Sequence, residues 1–338
     1  MGSRTDGQWV WGLLTGLGMI AAASGAAAIT SGPVLLRYDA DFLGMDITQI
    51  HAVNHHLVHF LQHDRLTMAG TMASIGILYF GLSYGGMRRG MPWARNALLI
   101  SGCIGFPTLF YFVAYKFVEP LHVAATAVLL PMFIAAVRRP LKPPKAERER
   151  LHTGQILFIC TGIGLFIGGA TISWVGLTDV FVPSDLVYLR TTSEALNAAN
   201  PRIIPFIAHD RAGFGGALMS AATAITLLSA WGWRRGESWV WWTLALATTA
   251  GFVPAVAAHA TMGYTDFLHL APLYAGLGVS VIALILAWPY LNARDGRNRC
   301  RGIELSTDCA GCTSAAAIGP GHRAGRGTGS EHADLYGC

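Results

Sequence analysis

His-Asp-Arg occurs twice in this chain, at His63-Asp64-Arg65 and at His209-Asp210-Arg211, and each copy leads into a long Gly- and Ala-rich apolar stretch. Each is answered later by an acid and a histidine, Glu119 with His122 and Asp266 with His269. These residue types have complementary chemistries. An imidazole ligates a transition metal or a haem iron. Asp64, Glu119, Asp210 and Asp266 can orient such imidazoles or capture protons. The guanidinium forks of Arg65 and Arg211 suit a haem propionate or another anionic group. A further stripe, His51, His55, His59 and His63 with His56 beside it, repeats every four residues and would lie on one helical face. That arrangement binds Zn²⁺ or Cu²⁺ or senses pH. The second half carries Asn197, Pro201 and Pro205 at the matching places.

Three consecutive ionisable side chains are costly beside hydrocarbon, and hydrocarbon is what the rest of the chain calls for. Of 338 residues, 53% are hydrophobic and 13% charged, a balance unlike that of a soluble domain. Apolar runs long enough to cross a bilayer fall at about 10–30, 66–86, 94–114, 121–138, 154–175, 213–232, 238–258 and 267–290. They are continuous rather than alternating, which excludes strands. The expected fold is an all-α integral membrane protein with eight transmembrane helices arranged as two parallel four-helix-bundle repeats. Residues 1–138 would form the first repeat, 139–153 a polar, proline-rich cytoplasmic linker, 154–290 the second repeat, and 291–338 a disordered cytoplasmic tail.

Charge gives this arrangement a direction. Arg88, Arg89 and Arg95, then Arg138 through Arg150, then Arg234 and Arg235, then Arg294 through Arg301 all fall in alternate connections. The positive-inside rule puts those connections and both termini in the cytoplasm of a bacterial-type inner membrane, and both triplets at the opposite face. The net charge of +5 is therefore a topology signal, not a nucleic-acid signal. Two long outer loops, 31–62 and 176–210, offer helix-capping chemistry at Asp46-Ile47-Thr48-Gln49 and at Thr191-Thr192-Ser193-Glu194. Short surface helices there would form a lid over the site.

From His63 to His122 is 59 residues and from His209 to His269 is 60, in each case two crossings and a turn. The expected ligand pairs are His63 with His122 and His209 with His269, facing each other across a bundle as two axial ligands of one haem. The competing reading makes the triplets helix-end furniture: an aspartate cap, a snorkelling arginine and an interfacial histidine. His259 reads as a satisfied buried histidine. Cys309-x-x-Cys312 has metal-ligand spacing but sits among Gly, Ala, Ser and Arg, so a disordered stretch is the expectation there.

In layout the chain resembles the haem A synthase family of cytochrome oxidase assembly proteins, over nearly all of residues 10–290. The resemblance lies in eight spans in two parallel halves, with histidines at the outer ends of the second and fourth helix of each half. It implies that His63/His122 and His209/His269 are haem-ligand pairs. That family places a Glu three residues before a His-Arg pair, where this chain has Phe60 and Phe206. The resulting expectation is a b-type or derivative haem serving electron transfer or haem modification. The partners would be the lipid bilayer and a quinone or respiratory-chain redox protein, with no nucleic acid. The alternatives are a non-redox receptor or transporter for an anionic or lipidic ligand or protons, and a structural or assembly subunit of a respiratory complex.

Overall fold

In the computed structural model the described residues are 7–111, 117–140 and 151–293. Most of the linker expected at 139–153 and of the tail expected at 291–338, with Cys300, Cys309, Cys312 and Cys338, lies outside them. The order is α1 (Gln8–Ser31), α2 (Arg37–Leu43), α3 (Ile47–Val53), α4 (His55–Gly81), α5 (Pro92–Thr108), α6 (Pro120–Val137), α7 (Thr153–Leu177), α8 (Pro183–Leu189), α9 (Ser193–Ala199), α10 (Ile203–Gly232), α11 (Ser238–Met262) and α12 (Phe267–Leu291). No strand occurs among the described residues. Seven helices are long and apolar enough to cross a membrane: α1, α4, α6, α7, α10, α11 and α12. α4 is extended by a π turn and a 3₁₀ turn to Arg89, 35 residues in all. α5, at 17 residues, is not among them. Leucine, isoleucine, valine and tryptophan side chains stay exposed along their outer faces, Ile167, Val253, Ile285 and Trp288 among them, as expected where the surrounding solvent is lipid.

The helix starts correct one expectation. The triplets do not sit at the mouths of the spans. α4 begins at His55 rather than near residue 66, and α10 at Ile203 rather than near 213, so each triplet lies about two turns inside its helix and is buried. Asn54 sets the earlier start, because its side-chain oxygen accepts the His56 N–H at 2.8 Å. The helices can continue through three ionisable residues because every charge in the triplets finds a partner on the neighbouring helix.

The short helices expected in the loops are present and capped as their residues suggest. Asp46 and Gln49 exchange hydrogen bonds at the start of α3, and Thr192 accepts the Ala195 N–H at the start of α9. They close one end of the bundle over an apolar cluster that includes Leu43, Ile50, Phe60, Leu189, Leu196 and Phe206. Asn54 and Asn200 tie this lid together across the chain. Their side-chain amides donate to the carbonyls of Leu189 and Leu43.

At the centre α4 and α10 pack against each other. α4 also packs on α1 and α11, α10 on α7 and α5, α12 on α7 and α11, and α6 on α1 and α5. Small residues set two of these contacts. A Cβ built on Gly76 would come within 2.6 Å of the Gly16 carbonyl, and one on Gly169 within 2.7 Å of the Gly215 carbonyl, so α1 meets α4, and α7 meets α10, backbone to backbone. The helices on either side of residues 141–150 thus interleave: α11 lies against α4, and α5 against α10.

Candidate metal and proton centres

The triplets clasp each other. Arg65 donates from Nε to Asp210 Oδ2 at 2.8 Å, and Arg211 from Nε to Asp64 Oδ2 at 3.2 Å. Arg65 Nη1 also donates to the Val34 carbonyl at 2.9 Å and to Asp39 at 3.2 Å, while Arg211 Nη1 reaches the Val180 carbonyl at 2.8 Å and Asp185 at 2.5 Å. Each acceptor of Arg211 lies 146 residues from the matching acceptor of Arg65 in the sequence: Asp64 from Asp210, Val180 from Val34 and Asp185 from Asp39. Val34 and Val180 both hold a left-handed backbone, φ 63° and 66°. For a β-branched residue this costs of order 1–3 kcal/mol. It aims each carbonyl at a guanidinium. Phe206 lies under Arg65 and Phe60 under Arg211, both 4.9 Å from the guanidinium carbon. The arginines expected to meet a propionate or other anion thus bind carboxylates and carbonyls of the protein itself.

The remaining oxygen of each triplet aspartate holds an imidazole. His63 Nδ1 lies 2.9 Å from Asp64 Oδ1, and His209 Nδ1 lies 3.2 Å from Asp210 Oδ1. A carboxylate only accepts, so in both rings Nδ1 carries a proton and Nε2 is the nitrogen turned toward the other imidazoles. Backing of this kind fixes the tautomer and raises basicity in metal-ligating histidines.

The imidazoles meet, but not in the expected pairs. His63 faces His259 and His269, and one ligand atom from each of the three lies within 4.8 Å of the others. His209 faces His122 and Glu119 in a second trio of the same compactness. Ring centroids are 6.0 Å apart for His63 and His269 and 5.6 Å for His122 and His209. This pairing follows from the packing, because α5 lies against α10 and α11 against α4.

His259 is buried with both ring nitrogens in contact with partners, as its sequence reading has it, and it also stands in the first histidine trio. Its Nδ1 lies 2.7 Å from the Ala255 carbonyl and so carries the proton, and its Nε2 is 2.8 Å from Nε2 of His63. Two neutral rings in these tautomers aim lone pairs at each other. A proton or a metal ion held between them would satisfy both nitrogens.

The other expected acids divide. Glu119 belongs to the second trio, with Oε2 3.7 Å from His122 Nδ1 and Oε1 accepting the Tyr38 hydroxyl at 3.0 Å. Burial pushes its carboxyl up, but the hydrogen bond from His122 and the Arg65 charge outweigh this and hold it below the usual glutamate value. Asp266 is exposed and caps α12 through the His269 N–H at 2.8 Å. Its observed contact is helix-end chemistry.

Sequence reading missed Asp39 and Asp185. Each caps a short helix, at Leu36 and Val182, while bonding an arginine. Their 146-residue spacing, the same as that of the triplets, was the available signal. It also missed Tyr264, which stacks on His269 at 4.3 Å and donates to Asp185 at 2.8 Å. Burial and the neighbouring Asp185 push that phenol far above its usual value. Burial likewise raises Asp39 despite Arg65.

Among the described residues the buried acidic and basic side chains are Asp39, Asp64, Asp185 and Asp210 against Arg65 and Arg211, four carboxyl groups to two guanidinium groups, with half-buried Glu119 a fifth. Buried carboxyl groups in such excess favour uptake of protons or other cations.

No protein-family model, curated protein or solved structure matches the chain, so what these centres do rests on their geometry.

Proposed function

We propose that the protein is a multi-pass membrane metalloprotein with two unlike transition-metal centres side by side at one end of the bundle. One is built from His63, His259 and His269, the other from Glu119, His122 and His209. The carrying observation is the 2.8 Å approach of two imidazole Nε2 atoms, those of His63 and His259. A metal suits the place better than a shared proton, because a third imidazole converges there and a second trio repeats the pattern. Ligand nitrogens about 2.0–2.1 Å from an ion stand roughly 3.4 Å apart in a tetrahedral set, so small side-chain shifts would seat one. Two cations would also offset the excess of buried carboxylate. Three protein ligands leave a coordination position for an exogenous molecule, as in catalytic rather than structural sites. The Glu-His-His set has the make-up of a non-haem iron site. The reading is thus a membrane oxidoreductase or electron-transfer protein.

In this reading α5 is an eighth crossing, since its 17 residues reach about 25 Å at 1.5 Å each. The contacts repeating at 146-residue offsets are the trace of a duplication into two parallel halves. The basic connections face the cytoplasm of a bacterial inner membrane, with the centres at the outer face.

Haem is the second reading. Two axial imidazoles across one iron have centroids roughly 6 Å apart, close to the observed 6.0 and 5.6 Å. It requires Tyr264 to leave the face of His269 and Phe117, now 5.3 Å edge-on from His209, to open a slot for the porphyrin.

The test is a titration of metal-free, detergent-purified protein with Zn²⁺ and Co²⁺, beside a reduced-minus-oxidised visible spectrum of the protein as isolated. Two bound equivalents, one lost in His63→Ala and the other in His209→Ala, are expected. No binding below millimolar concentration would overturn the metal reading, and haem bands with no metal binding would replace it with the second.

A further inference from the structure

Resting on that metal reading, we infer that the histidine stripe is a loading path that carries a divalent transition-metal ion from the surface to the His63–His259–His269 centre, and to that centre alone. The stripe crosses the break between α3 and α4 without losing register. α3 ends at Val53 and α4 starts at His55, yet the His51 and His55 rings lie 4.6 Å apart and those of His55 and His59 lie 5.3 Å apart. Asn54 makes this possible by capping α4 while its amide is anchored to Leu189 on the lid. His56 stands 5.5 Å to the side of His55. His63 follows His59 by one turn of the same helix, about 6 Å of rise.

Burial deepens along the row. His51 and His55 are exposed, His59 is half-buried and His63 is buried. Neighbouring imidazoles about 5 Å apart can share one ion between them at ordinary metal–nitrogen distances. From His51 through His55 to His59 an ion can therefore pass by exchanging one ligand at a time without becoming bare in a medium of low dielectric, which leaves one helical turn to His63. Neutral imidazole is a ligand that Zn²⁺, Cu²⁺, Fe²⁺ and Ni²⁺ all accept, which suits a conduit better than a final site.

The penultimate ring has room to work. His59 lines a cavity of about 370 Å³ between α1, α4 and α11, with Thr30, Gln62, Leu66, Thr261 and Met262 on its other walls. His59 Nδ1 is buried and has no hydrogen-bond partner. That is an expensive state for a ring nitrogen unless something visits it. The second half has no such row, since Asn197, Pro201 and Pro205 stand at the equivalent positions, so the Glu119–His122–His209 centre must fill by another way.

The experiment measures rates as well as affinities. Metal-free protein carrying His209→Ala, so that only the three-histidine centre reports, is mixed with Co²⁺ or Zn²⁺ in a stopped-flow instrument, and metal is then withdrawn with a chelator. His51→Gln/His55→Gln/His59→Gln in that background is expected to slow loading and chelator-driven release by the same factor, tenfold or more. The equilibrium affinity should stay unchanged, because a path alters no end state. Equal rates in the two proteins would overturn the path and leave the metal centre standing. Lost affinity at an unaltered rate would make the row part of the site and also overturn the path. His59→Gln alone, with helicity and melting temperature checked, guards against damage to the fold. Absence of binding in the protein with an intact stripe would remove the metal reading itself.

Discussion

Asp64→Asn separates the two centres most sharply. Asp64 spends one oxygen on the His63 Nδ1–H at 2.9 Å and the other on Arg211 Nε at 3.2 Å. An asparagine keeps one acceptor oxygen and turns an NH₂ toward the other donor. If the oxygen stays with His63, the amide opposes the guanidinium donor to donor. Arg211 keeps Asp185 and the Val180 carbonyl, so the destabilisation falls near the lower end of the range for breaking a buried pair, about 3 kcal/mol. At the metal, replacing a carboxylate behind a ligating imidazole by a neutral amide weakens binding about 10- to 100-fold, or roughly 1.4–2.7 kcal/mol. The second centre is backed by Asp210 and Arg65, which share no hydrogen bond with Asp64, and should change by less than about 0.5 kcal/mol. The assay is a competitive Zn²⁺ titration of Asp64→Asn in the His209→Ala and His63→Ala backgrounds, each of which leaves one centre to report. A weakened three-histidine centre beside an unchanged Glu119 centre is expected, with the mirror result for Asp210→Asn. Equal weakening of both, or an unchanged three-histidine centre in folded protein, would refute the view that each aspartate serves its own imidazole.

Three further outcomes follow from the same geometry. Arg65→Lys keeps the charge but loses the fork that spans Asp210, Asp39 and Val34. It should lower stability by about 2–3 kcal/mol in a mild-detergent unfolding titration, and an unchanged midpoint would contradict it. Gly76→Leu must push α1 from α4, because even a Cβ meets the Gly16 carbonyl at 2.6 Å. A loss of about 3 kcal/mol or more is expected, visible as poor folded yield, whereas Gly25→Leu, where a Cβ meets nothing within 4 Å, should be tolerated. Glu119 is held below its ordinary value of 4.5 in the folded protein. A lowered carboxyl contributes stability that is present above the unfolded value and lost as pH falls through the folded one. Metal-free protein should therefore lose melting temperature below about pH 4.5 in part through Glu119, and Glu119→Gln should flatten that portion of the profile. An identical acid limb in the variant would contradict the assignment.

What could be read from the sequence was what hydrophobic runs and local caps encode. The long apolar helices and the short helices capped by Asp46 and Thr192 were legible because their causes lie within a few residues of one another. The triplets stood out because charge inside an apolar chain is costly. Their depth was misjudged for the same reason: the compensating groups for Arg65 are Asp39 on α2 and Asp210 on α10, neither of which a local window contains. Histidine spacing along the chain does not say which neighbour a helix finds, and here His63 meets His269 and His122 meets His209. His259 had no signal at all. Its role comes from α11 lying against α4, a packing choice made by faces of the helices far from the site.

That packing choice has a consequence in time. His63, the first residue of the three-histidine cluster, leaves the ribosome 196 residues before His259 and 206 before His269, so the cluster cannot form until α11 has docked on α4 and α12 on α11. The other centre has Glu119 and His122 waiting for His209. Any pause between the halves leaves both triplets unpaired, Arg65 without Asp210 and Arg211 without Asp64. The crossed clasp therefore acts as an inspection of the finished chain, and a truncated product ending before α10 fails it twice over.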